Sequence, residues 1–182
     1  MKPDINPVVT MQQTTHIVLL RAVNVGGTGK FPMSELRALC TRLGFENPRT
    51  YIASGNLVIE SPLAAEEIRL LLETELEKLM GKPLGVFVLS PKELTRILVD
   101  DPFPDGPGNL VHVLFLPGKV DADILAKAKN QTSVELKPGL RELYIYYREG
   151  QGVSKLVIPA AKIGTARNRN TIEKLIDLAE KQ

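Results

Sequence analysis

A glycine-rich loop between the first apolar segment and the first helix is the earliest place where this sequence could bind a ligand. It reads Val25-Gly26-Gly27-Thr28-Gly29-Lys30, and Arg21 and Asn24 precede it. The backbone N–H groups of such a loop can bind phosphate. It is not a Walker A loop, because Asn24 and Phe31 stand where that motif needs Gly and Ser or Thr, and Pro32 stands where the dinucleotide fingerprint needs its third glycine. The loop is therefore either a tight turn that requires positive φ or an anion-binding element.

Two further polar clusters occur later in the chain. Ser54-Gly55-Asn56 separates two short strand-like segments and has the composition of a hairpin turn. The segment Arg167-Asn168-Arg169-Asn170-Thr171 opens the last helix, whose N–H groups and dipole attract anions. Each cluster has an alternative structural interpretation, namely side chains that tie two loops together in the first and a capped helix with solvated arginines in the second.

The sequence contains no recognisable catalytic set. Ser154 and Lys155 are adjacent, so on a strand their side chains would point apart. His16 and His112 have no sequence neighbour of metal-ligand type, and we expect both to be structural. Cys40 lies on the apolar face of a helix, so it is expected to be an inert core residue. We therefore predict neither a metal nor a cofactor.

Composition and charge limit the classes of protein that remain. The 182 residues suffice for one large or two small domains, and a net charge of +2 gives no global case for binding nucleic acid or membrane. One cysteine excludes an internal disulfide and a cysteine-based zinc site, which indicates a reducing compartment. No apolar run approaches a membrane span, and residues 1–15 lack the apolar stretch of a secretory signal. We predict a soluble cytoplasmic protein with a flexible tail over 1–15.

The spacing of apolar residues predicts two similar halves on either side of a linker. The segment 101–109, DPFPDGPGN, is dense in Pro, Gly and Asp and has no periodicity. Before it, the patterns predict strands at 16–22, 49–53, 57–60 and 85–89, with helices that begin near Pro32, Ser61 and Ser90. After it, they predict strands at 110–116, 133–136 and 140–147, a helix at 121–130, a type II turn at 137–139, a short helix stopped by Pro159, and a last helix capped by Asn170.

This order is typical of the split βαβ pattern, nearly repeated. We predict an α+β fold of two tandem ferredoxin-like units, 16–100 and 110–182, with antiparallel sheets and helices packed on one face. The first and second strands of such a unit are parallel, so the loop after the first strand and the hairpin after the second meet at one sheet edge. A ligand site is therefore predicted from residues of these two loops, joined across the halves by residues near the last helix. These are Arg21, Asn24, Gly26, Gly27, Ser54, Gly55, Asn56, Lys155, Arg167, Asn168 and Asn170.

The segment from Leu19 to Ser61, which opens LLRAVNVGG and continues through PMSELR and YIASGN, resembles a bacterial family of domains of unknown function, number 1697. The other matches, in the family's order, are Asp101-Pro102-Phe103-Pro104, Arg141-Glu142-Leu143-Tyr144, Gly152-Val153-Ser154-Lys155-Leu156 and Arg167-Asn168-Arg169-Asn170-Thr171. The resemblance implies two ferredoxin-like halves and no established activity. The chain departs from the family pattern in having Ala22 where Gly is usual, Arg169 where Trp is common, and a shorter stretch at 159–166.

Three functional hypotheses follow, and the leading one is a binding module for a small anionic or phosphate-bearing ligand. The second is nucleic-acid binding, which rests on eight Lys or Arg against five Asp or Glu from Arg141 onward. The aromatic segment Tyr144-Ile145-Tyr146-Tyr147 could stack on bases, although core or interface packing is the favoured interpretation. The third is a structural or oligomerising module whose motifs only hold loops in place.

Overall fold

Two four-stranded antiparallel sheets form the framework. The computed structural model describes residues 12–23 and 31–181, so the glycine-rich loop at 24–30 and most of the predicted tail lie outside the described residues. The first half contains β1 (Thr14–Leu20), α1 (Met33–Arg42), β2 (Glu46–Thr50), β3 (Asn56–Ser61), α2 (Ala65–Met80), β4 (Val86–Leu89) and α3 (Pro91–Val99). The second half contains β5 (Val111–Phe115), α4 (Ile124–Lys127), β6 (Val134–Pro138), β7 (Glu142–Tyr147), 3-10 turns at Gln151–Val153 and Pro159–Lys162, β8 (Thr165–Asn168) and α5 (Arg169–Glu180).

The two sheets have the same strand order. The first is β2-β3-β1-β4 and the second is β6-β7-β5-β8, and every neighbouring pair is antiparallel. The α+β class with antiparallel sheets is confirmed, and the order is compatible with two ferredoxin-like units. In each sheet two strands are central, β1 and β3 in the first and β5 and β7 in the second, which leaves β2, β4, β6 and β8 as edge strands.

The core has three layers, and the middle layer belongs to both halves. One face of the first sheet packs on α1 and α2 through residues such as Leu39 and Leu72. The other face packs on α3 and α5, which also cover one face of the second sheet through Leu94, Ile172 and Leu175. The outer face of the second sheet packs on α4 and the 3-10 segments. Because α3 and α5 lie between the sheets, the halves share one buried layer.

Several predicted boundaries in the first half are wrong for local reasons. Ser61 does not cap α2; it is the last residue of β3, and its Oγ accepts the N–H of Leu63. The helix begins instead at Ala65, where the Glu67 carboxylate accepts the N–H of Ala64 at 2.9 Å. By contrast, the predicted start of α3 at Ser90 is confirmed, and Ser90 forms a capping box with Glu93 there.

The second half differs more from its prediction. The helix predicted at 121–130 has only four residues, because Lys129 exchanges two main-chain hydrogen bonds with Val157 and the backbone must become extended there. Gly139 does not have positive φ, so the predicted type II turn is absent; its N–H donates to the Glu142 carbonyl across a later turn. Strand β8 was not predicted, and it leads directly into α5.

Among the helices of the described residues, none combines the length and apolar composition that a bilayer crossing demands.

Candidate functional site

The first strand and the Ser54-Gly55-Asn56 bend meet at one corner of the molecule, as the chain topology predicts. The Leu20 N–H donates to the Gly55 carbonyl at 2.8 Å. Gly55 has a φ of +77°, and a Cβ there would lie only 2.7 Å from the Cβ of Leu20, so both conformation and space require glycine. We call Leu20, the bend and Arg167 the arginine corner. The predicted site residues Asn24, Gly26 and Gly27 lie outside the described residues.

Arg167 is the centre of this corner and comes from the second half. Its Nε donates to Asn56 Oδ1 at 2.5 Å, one terminal nitrogen donates to the carbonyls of Leu20 and Ser54 at 2.9 Å each, and the other donates to Thr165 Oγ1 at 2.7 Å and to the Ala166 carbonyl. These bonds occupy all five guanidinium N–H groups. The side chain therefore joins both halves through neutral oxygen atoms.

Arg167 is also a buried charge. The residue is 8% exposed, and no carboxylate among the described residues forms an ion pair with it. Burial lowers the pKa of Arg167 to about 10, which still leaves the guanidinium charged at neutral pH. The hydrogen bonds to main-chain carbonyls offset the cost of removing this charge from water.

The polar side chains of the Ser54-Gly55-Asn56 bend are also hydrogen-bonded within the protein. Asn56 is fully buried, and its Nδ2 donates to the Tyr51 carbonyl at 3.0 Å and to Ser54 Oγ at 2.8 Å, while its Oδ1 accepts from Arg167. The side chains of Ser54 and Asn56 thus bind each other and the neighbouring chain. The alternative interpretation from the sequence, that these side chains tie neighbouring loops together, accounts for these contacts.

The remaining residues of the last motif fix the start of α5 and the linker. Asn168, rather than the predicted Asn170, caps the helix: its Oδ1 accepts the N–H of Thr171 at 2.9 Å. Arg169 forms an ion pair with Asp101 at 2.7 Å and donates to the carbonyls of Phe103 and Gly106. Two motifs that carry the family resemblance, the Asp101 segment and the Arg167 segment, therefore contact each other.

The contacts of Asn170 and Lys155 lie away from the guanidinium of Arg167. The Asn170 N–H approaches the Gly108 carbonyl at 3.4 Å, and its side chain packs over that glycine. Lys155 is exposed and lines a separate shallow pocket of about 320 Å³ with Ser133 and Glu149. Of the described residues predicted for the site, the structure brings together Ser54, Gly55, Asn56 and Arg167, with Asn168 next along the chain.

A larger cleft of about 700 Å³ opens beside the corner, between the two halves. One wall is β4 with the preceding Gly85, and a second wall is the polar side of α2. The third wall comes from the second half, at the end of β5 and the start of β7, together with Ile163. We call this space the inter-half cleft.

Four arginines line the inter-half cleft, and they fall into two classes. Arg69 pairs with Glu66 and Glu73, and Arg96 pairs with Asp100 and the buried Glu142. The other two, Arg21 and Arg141, have no carboxylate partner among the described residues.

Arg21 and Arg141 are each held by one main-chain carbonyl. A terminal nitrogen of Arg21 donates to the Lys162 carbonyl at 2.5 Å, and one of Arg141 donates to the Pro117 carbonyl at 2.9 Å. Arg21 is half-buried and belongs to the first half, whereas Arg141 is exposed and belongs to the second. Within the described ranges, 12–23 and 31–181, no further hydrogen-bond partner is found for either guanidinium group, and the two groups line the cleft from opposite halves. The sequence indicated Arg21 through its place beside the glycine loop, but Arg141 only through its place in a family motif.

Both histidines, Cys40 and two of the three tyrosines of β7 are buried. The described residues contain no group of three or more His, Cys, Asp or Glu side chains that could hold a metal. Burial lowers the pKa of both His16 and His112, and it raises the pKa of the fully buried Cys40 to about 12. Tyr144 is buried and donates its hydroxyl to the Ile97 carbonyl, and Tyr147 is also buried, so the predicted packing role of these tyrosines is confirmed.

Comparison with known proteins gives a family and a fold. The family model described as protein of unknown function (DUF1697) matches residues 13–144, and no curated protein matches the chain. The solved structure of a conserved bacterial protein, SP0830 from Streptococcus pneumoniae, is similar with a TM-score of 0.72 and 24% sequence identity, over 93% of this chain and 100% of that one. That similarity establishes a shared fold. Since the family model covers well over half of its length, the chain belongs to the family of proteins of unknown function DUF1697.

Proposed function

We propose that the protein is a binding module for a small anionic ligand, held in the inter-half cleft by Arg21 and Arg141. The observation that supports this proposal is that two guanidinium groups, one from each half, face the same cleft without a carboxylate partner in the described residues. A cleft of about 700 Å³ also lies within the size range of small-molecule sites.

The chemistry of the guanidinium group favours carboxylate or phosphate as the ligand's anionic group. Its planar set of N–H donors matches two oxygen atoms at once, and such charge-assisted bonds are stronger than neutral ones. Arg21 and Arg141 are each oriented by one carbonyl, so ligand binding requires less ordering of the side chain than it would for a free surface arginine.

The arginine corner supports this proposal indirectly. All five donors of Arg167 already bind the chain, so an anion there would have to break existing hydrogen bonds. One of those bonds is accepted by the Leu20 carbonyl, immediately before Arg21. We therefore assign the predicted residues Ser54, Gly55, Asn56 and Arg167 a positioning role, because they fix the main chain from which Arg21 extends into the cleft.

Thermal-shift and calorimetric titrations with named anions test the proposal. The probes are inorganic phosphate, sulfate, succinate, a sugar phosphate and a nucleotide, all at constant ionic strength. We expect at least one to stabilise the protein and to lose about tenfold or more in affinity in Arg21→Gln and in Arg141→Gln.

The matched control is Arg148→Gln, which removes an arginine that pairs with Glu135 and is not among the cleft's lining residues. Affinity in this variant should equal that of the unaltered protein. If no probe binds, or if the control weakens binding as much as the cleft variants do, the proposal is wrong.

A further inference from the structure

The edge of β4 forms one wall of the inter-half cleft. Strand β4 is last in the order β2-β3-β1-β4, so β1 pairs with one side of it and the cleft faces the other. The Arg21 N–H donates to the Gly85 carbonyl at 2.8 Å. In an antiparallel pair such bonds recur at every second residue, so the main-chain groups of Phe87 and Leu89 also face β1. The main-chain groups of the alternate residues, Val86 and Val88, point away from β1 and therefore into the cleft.

Most of these outward main-chain groups have no partner. The Val86 N–H donates to Glu73 Oε1 at a long 3.3 Å. The Val86 carbonyl and both the N–H and the carbonyl of Val88 find no hydrogen-bond partner within the part of the chain that the structure describes. Unpaired strand edges are templates for another extended segment. This edge lies in a cleft whose opposite walls would also contact such a segment.

The charges at the two ends of β4 match the polarity of an antiparallel peptide. Arg21 lies against Gly85, since a Cβ built on that glycine would be 2.9 Å from Arg21 Nε, and so the cation marks the beginning of the strand. Glu93 lines the cleft just past the end of the strand, where one carboxylate oxygen accepts the N–H of Ser90 at 2.7 Å. A peptide antiparallel to β4 would place its carboxyl end at Arg21 and its amino end towards Glu93.

We infer that the anionic ligand is an extended peptide that adds to the outer edge of β4, antiparallel to it, with a carboxylate bound by Arg21. This inference rests on the proposed function and specifies its ligand class. Main-chain hydrogen bonds to Val86 and Val88 supply affinity, as in other cases of strand addition, and the arginine selects a free carboxyl end. Four residues of β4 give a footprint of about 13 Å, so four to six peptide residues fill the edge.

The test uses defined peptide mixtures and residue-resolved hydrogen exchange. The probes are an equimolar mixture of hexapeptides with free carboxyl ends, the same mixture amidated at the carboxyl end, and the free-acid mixture with alternate main-chain nitrogens methylated. We expect the free-acid mixture to slow exchange of the Val88 N–H about tenfold or more. The Phe87 N–H is the internal control, because it already faces β1 and should change little.

Protein variants complete the test. Val88→Pro removes an outward N–H, which an edge strand tolerates, and should weaken peptide binding; Val88→Ala, which also shortens the partly buried side chain but keeps the N–H, is its matched control and should bind peptide more tightly than Val88→Pro. Arg21→Gln should lower the affinity of the free-acid peptides to the affinity that the amidated peptides show. Should Val88→Pro fold poorly, the methylated peptides give the same information on the unaltered protein.

The outcomes separate this inference from the proposed function. Anions that bind through Arg21 and Arg141, together with peptides that leave Val88 unprotected, overturn the inference and retain the proposed function. Equal binding of methylated and unmethylated peptides also overturns it. Protection of Val88 that rises with protein concentration alone means that a second copy occupies the edge, which again overturns it. If neither anions nor peptides bind, both proposals fail.

Discussion

Arg167 and Arg21 approach the same strand end, yet their surroundings differ in almost every respect. Arg167 is buried, donates all five of its N–H groups to the chain, and comes from the opposite half of the molecule. Arg21 is half-buried and is held by one carbonyl at the wall of a cleft. In this protein, residue type alone therefore does not separate a structural arginine from one that is available for a ligand; the number of donors already used does.

The largest effect that we predict is on stability and concerns Arg167. Arg167→Met keeps much of the side-chain volume but removes the donor from the buried oxygens of Leu20 and Asn56 and from the partly buried Ser54 carbonyl. We expect a loss of about 3 kcal/mol in the free energy of unfolding, measured by urea denaturation. A loss below about 0.5 kcal/mol, the size expected for an ordinary surface substitution, would show that the hydrogen bonds of Arg167 contribute little to the stability of the fold.

The linker contact extends the same structural region and should have the next largest effect. Asp101 has a nearly buried side chain that pairs with Arg169 at 2.7 Å and accepts the N–H of Phe103. Asp101→Ala should lower the free energy of unfolding by about 2 kcal/mol. Asp100→Ala is the control, since Asp100 is exposed and its one ion pair among the described residues is with Arg96 of the preceding helix α3. Equal effects of the two substitutions would contradict the prediction.

Acid sensitivity should arise outside both regions, because arginines remain charged throughout the range from pH 7 to pH 5. Burial lowers the pKa of His16 and of His112 in the folded protein. Below about pH 6.5 the unfolded chain therefore binds more protons than the folded chain, which lowers the free energy of unfolding. Stability should be constant above about pH 7 and fall towards pH 5, by at most about 2 kcal/mol for each histidine.

The double variant His16→Phe, His112→Phe tests this origin. Its free energy of unfolding, measured by denaturation at several pH values, should be nearly flat over the same range. A slope that persists in the double variant would place the acid-sensitive groups elsewhere.

A substitution at one residue next to the arginine corner should stabilise the protein. Ala22 has a φ of +57°, a left-handed conformation that disfavours a side chain. Ala22→Gly should raise the free energy of unfolding by about 0.5–1 kcal/mol. Ala161→Gly, in an exposed 3-10 turn without positive φ, should have the opposite sign. A loss of stability in Ala22→Gly would show that the left-handed conformation of Ala22 does not destabilise the protein.

The smallest effects on stability are expected in the inter-half cleft. Arg21→Gln and Arg141→Gln each remove one hydrogen bond to a main-chain carbonyl at a partly or fully exposed site. We expect changes of at most about 0.5 kcal/mol in the free energy of unfolding, although both variants should lose anion binding. Destabilisation as large as that of Arg167→Met would make the cleft arginines structural as well and remove the contrast between the two regions.

Local features were predicted well where one short segment contains all the interacting residues. The start of α3 at Ser90 and the place of Cys40 on the apolar face of α1 depend on neighbours within a few positions. The prediction was wrong where a distant segment competes, as at Lys129, whose pairing with Val157 ends α4 early. Strand β8 was missed because Thr165–Asn168 is too short and too polar to be recognised without β5 beside it.

The sequence by itself determined the α+β class and the meeting of β1 with the Ser54-Gly55-Asn56 bend, because both follow from periodicity, turn chemistry and chain order. Only the tertiary structure decided how each arginine is used. Arg167 is 111 positions away from Asn56 and binds it, whereas Arg21 and Arg141 face a cleft that exists only when the halves pack on their shared helices. The burial of each arginine and the number of its donors already in use depend on how the halves pack, so they cannot be read from any single segment of the chain.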